Sequence, residues 1–233
     1  MELDVRRSIR QQLGVLRSAG VQQLPLGCNP VAPTADTLET HAPTVGPVDE
    51  SLQTLCDQVS TCQKCTELVA SRSRTVFGVG NPRARLCFFG EGPGAEEDRL
   101  GEPFVGAAGQ LLNRIIQACT LTREEVYILN TVKCRPPGNR NPTAVEVEHC
   151  RPFFEQQLKL IQPEFICCLG GVAAKALLPN TTSVGKMRLR LHEWRDAKVV
   201  VTYHPAYVLR EPKAKRQVWD DMKFLMSQMG VKL

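Results

Sequence analysis

The chain has 233 residues, 42% of them hydrophobic and 23% charged, the make-up of an ordinary folded protein with room for one sizeable core and a tail. No apolar run approaches the ~20 residues of a membrane-spanning helix, and the start of the sequence lacks the apolar core of a secretion signal, so a cytoplasmic protein is expected. The net charge of +5 permits nucleic-acid binding without requiring it.

Residues 1–23 pattern as a short amphipathic helix, with Val5, Ile9, Leu13 and Leu16 at helical spacing among Arg6, Arg7, Arg10 and Arg17. Residues 25–48 hold five prolines and neither Lys nor Arg, a composition for a flexible linker. The division expected is therefore a tail over 1–48 and a folded domain over 49–233. Within the domain, apolar runs suited to buried strands occur at Leu86–Phe89, Val126–Leu129, Phe165–Leu169 and Val199–Thr202. Helical patterns fall between and after them, at Ala107–Ala118, Ala144–Ile161, after Gly170-Gly171, and at Ala214–Met229. This alternation predicts a three-layer α/β/α fold around a central, mainly parallel, four-stranded sheet.

Such sheets bind ligands beyond the carboxyl ends of their strands. Those ends read Gly90-Glu91-Gly92-Pro93-Gly94, Asn130 to Pro137, Gly170-Gly171, and Tyr203-His204-Pro205. Three of the four carry a polar group able to do chemistry, and the fold predicts that they converge. The glycine-rich turn lacks the lysine of a phosphate-binding loop, and Pro93 removes a backbone donor, so it suits close approach of a ligand to the backbone better than a nucleotide.

The sequence contains ten cysteines. In a reducing compartment this favours metal binding or burial over disulfides. Cys62 and Cys65 form a C-x2-C pair that reads as half a metal site, which Cys134 and Cys150 complete. Four thiolates bind zinc or an iron–sulfur cluster, and spacing does not choose between them. Cys56 is a rival ligand. Cys87, Cys119, Cys167 and Cys168 lie in apolar runs and read as small buried hydrophobes, and Cys28 as a free thiol in the linker.

The segments GEGPGAEED, PFVGAAGQLLNRI, YILNTVKCRPPGNRNP and HPAYVLR, together with the four cysteines, resemble the iron–sulfur (family four) uracil-DNA glycosylases from about Cys62 to Met229. The resemblance implies a monofunctional glycosylase that flips uracil out of single- or double-stranded DNA and hydrolyses its glycosidic bond for base excision repair, acting as a monomer. It implies a [4Fe–4S] cluster on Cys62, Cys65, Cys134 and Cys150. It places Glu91 and Gly92 beside the uracil and the attacking water, and Phe104 as the ring that stacks on the base. Asn130 reads the uracil edge, and His204 stabilises the departing uracil. Leu209 and Arg210 fall in a loop that enters the duplex.

The chemistry of these residue types agrees. Extruding a base costs roughly a few kcal/mol, and stacking on an aromatic returns about 1–3 kcal/mol. An amide both donates and accepts, as the O4 and N3–H edge of uracil requires. A donor aimed at uracil O2 stabilises the negative charge that develops there, and a carboxylate opposes the sugar cation or positions water. Glu97 and Asp98 read instead as helix-start residues. Lys133, Arg135, Arg140, Arg210, Lys213, Lys215 and Arg216 are candidates for phosphate contact, and Lys186, Arg188 and Arg190 read as a surface strand. Glu91 disfavours the relatives that replace this carboxylate, and Ala107-Ala108-Gly109 leaves no room for the basic insert of a covalently trapping relative. Glu91, Asn130 and His204 together disfavour a non-catalytic, metal-stabilised DNA-binding module. Residues 1–23 are expected to bind a replication or repair partner.

Overall fold

The structure is a computed structural model that describes residues 47–179 and 182–233. The helix expected over 1–23, Cys28 and nearly all of the expected linker lie outside the described residues. Helix α1 (Pro47–Ser60) comes first, and the short α2 (Thr66–Ser71) follows the Cys62–Cys65 pair. Strands β1 (Val79–Gly80) and β2 (Leu86–Gly90) lead to α3 (Ala95–Leu100), α4 (Ala107–Ala118) and β3 (Tyr127–Asn130). Then come α5 (Ala144–Ile161), β4 (Phe165–Leu169), α6 (Gly171–Leu177) and α7 (Val184–Met187). Strands β5 (His192–Trp194) and β6 (Ala197–Thr202) precede α8 (Pro205–Arg210) and α9 (Ala214–Gln228). None of the helices described is long and apolar enough to cross a membrane.

The four expected strands are β2, β3, β4 and β6, and they pair in parallel. Among the described residues the sheet nevertheless has six strands, in the order β1-β3-β2-β4-β6-β5. The additional β1 and β5 pair antiparallel at the two edges. At two and three residues they are too short to show an apolar alternation, and short edges of this kind deter pairing with other chains.

Strands β2, β3 and β4 are buried along their whole length, as a parallel sheet covered on both faces demands. Side chains alternate between the two layers. Phe88, Ile128, Cys167 and Val200 share one register row and meet Leu112 and Ile116 of α4 and Val218, Met222 and Leu225 of α9. Phe89, Leu129, Cys168 and Val201 face the other way, onto Phe154 and Leu158 of α5 and Ala173 and Ala174 of α6. Cys87, Cys119, Cys167 and Cys168 are fully buried core residues, as expected.

The segment around Arg188 is not a strand. Lys186 belongs to α7, Leu189 and Leu191 are exposed, and Met187 turns into the core. Arg188 donates its Nε to Asp221 Oδ2 at 2.8 Å, and Thr202 Oγ1 donates to the same oxygen at 2.5 Å. Asp221 is fully buried. Removing one partner of such a pair leaves the other charge uncompensated. We expect Asp221→Ala to cost about 3 kcal/mol, a drop of about 6–12 °C in melting temperature. A thermal scan showing a change within ~1 °C would contradict the pairing.

Candidate active site

Parallel register places Gly90 directly opposite Asn130, so the carboxyl ends of β2 and β3 open at one level. Thr131 N–H and Oγ1–H both donate to the Gly90 carbonyl, at 2.9 and 2.8 Å, and Val132 N–H donates to the Glu91 carbonyl at 3.1 Å. These bonds lock the glycine-rich turn to the segment after β3. A cavity of about 340 Å³ lies beyond the strand ends. Glu91, Gly92, Phe104, Asn130, His204 and Arg210 all line it, so the expected convergence of strand ends is observed. Pro136, Asn139, Arg140 and Asn141 form another wall, and Tyr207 stands at the side, stacked on Tyr203 at 5.1 Å between centroids.

Asn130 is 2% exposed, and its Oδ1 is a buried acceptor without a partner. A buried amide oxygen left unpaired is costly, which marks it as a position for a ligand N–H. Gly90 makes room for this amide and for Phe104. A Cβ there would sit 2.3 Å from Asn130 Oδ1 and 2.6 Å from Phe104 Cζ. We expect Gly90→Ala to lower catalytic efficiency by about 100-fold or more, by analogy with other small misplacements of reacting groups. A wild-type rate on uracil-containing DNA, the substrate that the resemblance implies, would show that neither group needs its observed position.

Phe104 is held with φ +54°, uncommon for a bulky residue. Three features hold it there. Arg123 donates to the carbonyls of Pro103 and Phe104 and, at 3.0 Å, to Asn113 Oδ1. Gly109 lies so close that a Cβ would be 1.9 Å from the Phe104 carbonyl oxygen. Glu97 Oε1 accepts from Val105 N–H and Gly106 N–H at 3.0 and 2.9 Å, while its Oε2 accepts from Gly94 N–H at 3.1 Å. Glu97 therefore stitches the glycine-rich turn to the PFVG segment, and does more than complement a helix dipole. Neither Glu97 nor Arg123 announced this role in the sequence, because their acceptors and donors are distant along the chain.

His204 caps α8, its Nδ1 accepting from Ala206 N–H at 3.1 Å. That bond fixes the neutral tautomer with the proton on Nε2. Burial pushes the imidazole pKa down to about 4, and the Arg210 guanidinium adds to the effect. Its ring lies 5.6 Å from that of Phe104. Burial raises the Glu91 carboxyl above its ordinary value, with Arg210 pulling it partly back.

Leu209 and Arg210 lie in helix α8, not in a loop. Pro205 at the first helical position is pre-organised for that conformation. Leu209 is 43% exposed. Lys133 is also not a surface base. It is fully buried, its Nζ donating to the carbonyls of Asn130 and Phe77 at 3.0 and 3.1 Å. Arg140 pairs with Glu146 at 2.7 Å and Glu67 at 3.1 Å, and Arg135 donates its Nε to Asn139 Oδ1 at 2.8 Å.

The four cysteines lie within electrostatic reach of one another. Burial raises the Cys65 thiol, with Cys134, Glu146 and Cys62 adding to it, and burial pushes Cys150 up to about 11, Lys133 opposing and Cys134 and Cys65 adding. Burial also raises the Cys56 thiol, with Asp57 adding to it and Lys133 opposing. Arg72 donates to Cys134 Sγ at 3.0 Å, and His149 Nδ1 lies 3.3 Å from Cys65 Sγ. Among the described residues, no three Cys, His, Asp or Glu groups close tightly enough to hold a single metal ion.

Residues 77–223 match the family model described as the uracil DNA glycosylase superfamily. The chain belongs to the uracil DNA glycosylase superfamily. It is 40% identical to the type-4 uracil-DNA glycosylase of Archaeoglobus fulgidus over 191 residues, covering 78% of this chain and 96% of that one. The type-4 enzyme of Thermotoga maritima is 39% identical over 179 residues, 75% of this chain and 93% of its own. A type-5 uracil-DNA glycosylase of Thermus thermophilus matches at 31% over 153 residues, 52% of this chain and 69% of its own. Within the superfamily, the type-4 relatives thus match more of the chain at higher identity than this type-5 one.

Proposed function

We propose that the chain is a monofunctional uracil-DNA glycosylase that hydrolyses the N-glycosidic bond of an extruded uracil, leaving an abasic site for base excision repair. The observation that carries the reading is the unpartnered Asn130 Oδ1 inside a cavity shared with Phe104, His204 and Glu91. Phe104 offers a face for the base to stack on. Asn130 accepts from uracil N3–H through Oδ1 and donates to O4 through Nδ2, a pattern that cytosine inverts. The Nε2–H of His204, which stays neutral at physiological pH, donates to O2 as the bond breaks and negative charge gathers there. Glu91 faces the sugar side, opposing its developing positive charge and orienting the water that adds to the anomeric carbon. The step balances without a covalent intermediate: uracil leaves as an anion with the electrons of the broken bond, water adds to the sugar and gives up a proton through Glu91 or to solvent, and the anion takes up a proton to become free uracil. Arg210 at the cavity, with Leu209 and Arg135, forms the DNA-facing surface.

The four thiolates suit a [4Fe–4S] cluster. Four thiolates bind zinc as well as iron–sulfur, and the resemblance of the sequence to the iron–sulfur family is what favours the cluster. Bound there, the cluster supplies a brace between the segment around Cys62 and Cys65 and the loop after β3, and it takes no part in bond cleavage. Within residues 1–48, segment 1–23 recruits a replication or repair partner. If deleting 1–48 changes neither activity nor any partner captured, that role is wrong.

The test of the main reading is purified protein on matched oligonucleotides with and without uracil, single- and double-stranded. Alkali-labile abasic sites are expected only where uracil was. DNA binding without abasic product would instead support a non-catalytic module.

A further inference from the structure

The C-x2-C pair and the other two cysteines come from widely separated parts of the sequence, and something must hold the two halves in register before and after metal enters. Several bonds cross this seam. Ser71 Oγ donates to the Arg135 carbonyl at 3.4 Å, and Arg140 joins Glu67 of α2 to Glu146 of α5. Two crossing residues touch a ligand sulfur: His149, whose Nδ1 lies 3.3 Å from Cys65 Sγ, and Arg72, which alone of the two carries a permanent charge. One guanidinium nitrogen donates to Cys134 Sγ at 3.0 Å, and the other donates to the Cys62 carbonyl at 2.9 Å. The arginine is itself fixed, because its backbone N–H closes α2 on the Leu68 carbonyl at 2.9 Å and Leu68 is fully buried.

We propose that Arg72 is the positioning residue of the metal centre, clamping the Cys62 segment to Cys134 and donating a charge-assisted hydrogen bond to the Cys134 thiolate. The proposal rests on the cluster reading above. A planar fork reaches a sulfur and a carbonyl at once, which a lysine ammonium on its flexible stem does less well. Hydrogen bonds to cluster sulfurs and nearby positive charge stabilise the more reduced, more negative state. Arg72 therefore acts in two ways: it slows release of the cluster, and it raises its reduction potential.

The experiment uses the full chain and the variants Arg72→Gln and Arg72→Lys, purified without oxygen. The readouts are iron content, decay of visible absorbance under a chelator, and midpoint potential. Wild type lacking iron would overturn the cofactor reading before any variant is compared. With iron present, Arg72→Gln is expected to lose its cluster about 10-fold faster or more, as for other residues behind metal ligands, and to show a more negative potential. Arg72→Lys keeps the charge and should fall between. A potential equal to wild type in whichever variant retains its cluster overturns the proposal, whatever the release rate, because loosened packing alone speeds release without moving the potential. If Arg72→Gln takes up no cluster, Arg72→Lys decides by the same reading.

Discussion

Replacing Asn130 with Asp is expected to lower kcat/KM for uracil by about 10³-fold or more, and to narrow the preference for uracil over cytosine by about 100-fold or more. A site built to hydrogen-bond one edge rejects a mismatched edge by about 10⁴–10⁵. The substitution is nearly isosteric, so Phe104 and Gly90 keep their places around it. What changes is that the donor to O4 becomes an acceptor, and two acceptors then face each other. Cytosine, with an amino group at that position, is the base that gains. Asn130→Ala removes both bonds and should lose uracil without gaining cytosine. Competition kinetics on oligonucleotides carrying either base will distinguish the variants. An Asn130→Asp enzyme that excises uracil at the wild-type rate would mean that the amide does not read the base.

Replacing His204 with Ala is expected to lower kcat by about 10²–10³-fold with little change in KM, the behaviour of a donor that matters most in the transition state. The pH dependence gives a second check. Because the imidazole pKa is held near 4, the neutral donor is present throughout pH 5–8, and His204 should put no acid limb near its ordinary value of about 6.5. Any limb in that range that survives in the Ala variant and disappears in Glu91→Gln belongs to the raised Glu91 carboxyl. The same shift bears on stability. Between about 4 and 6.5 the unfolded chain holds a proton at His204 that the folded protein does not, so stability rises with pH across that window and falls as the protein is acidified. His204→Ala should flatten this slope in denaturant titrations at pH 4.5 and 6.5.

The middle of the fold was legible in the sequence because burial on both faces leaves runs such as LCFF and FICCL, and because the helices between them are amphipathic. The edges were not, since two or three residues against one neighbour need no pattern. The strand-end rule pointed to the segments that hold Glu91, Asn130 and His204, the family resemblance picked out these residues within them, and their side chains share a cavity. The errors have a common origin. Lys133 read as a phosphate contact because it stands among basic residues, yet Val132 and Cys134 on either side are also buried, and the loop at that point is still inside the protein. Glu97 is the helix-start residue it read as, but its further bonds to Val105 and Gly106, eight and nine residues on, left no trace in the sequence. Leu209 and Arg210 read as loop because six residues of helix are too few for a period to show.

The strained backbone at Phe104 has a consequence for the energetics of recognition. Arg123, Glu97 and Gly109 fix the ring's base from three sides, so in the proposed reaction the surface that receives the base is already rigid in the free enzyme. Little conformational entropy remains to be lost there on binding, and the cost of extruding the nucleotide falls on the DNA alone. An already weakened base pair should then be worked on faster in proportion to its weakness, with the protein adding no threshold of its own.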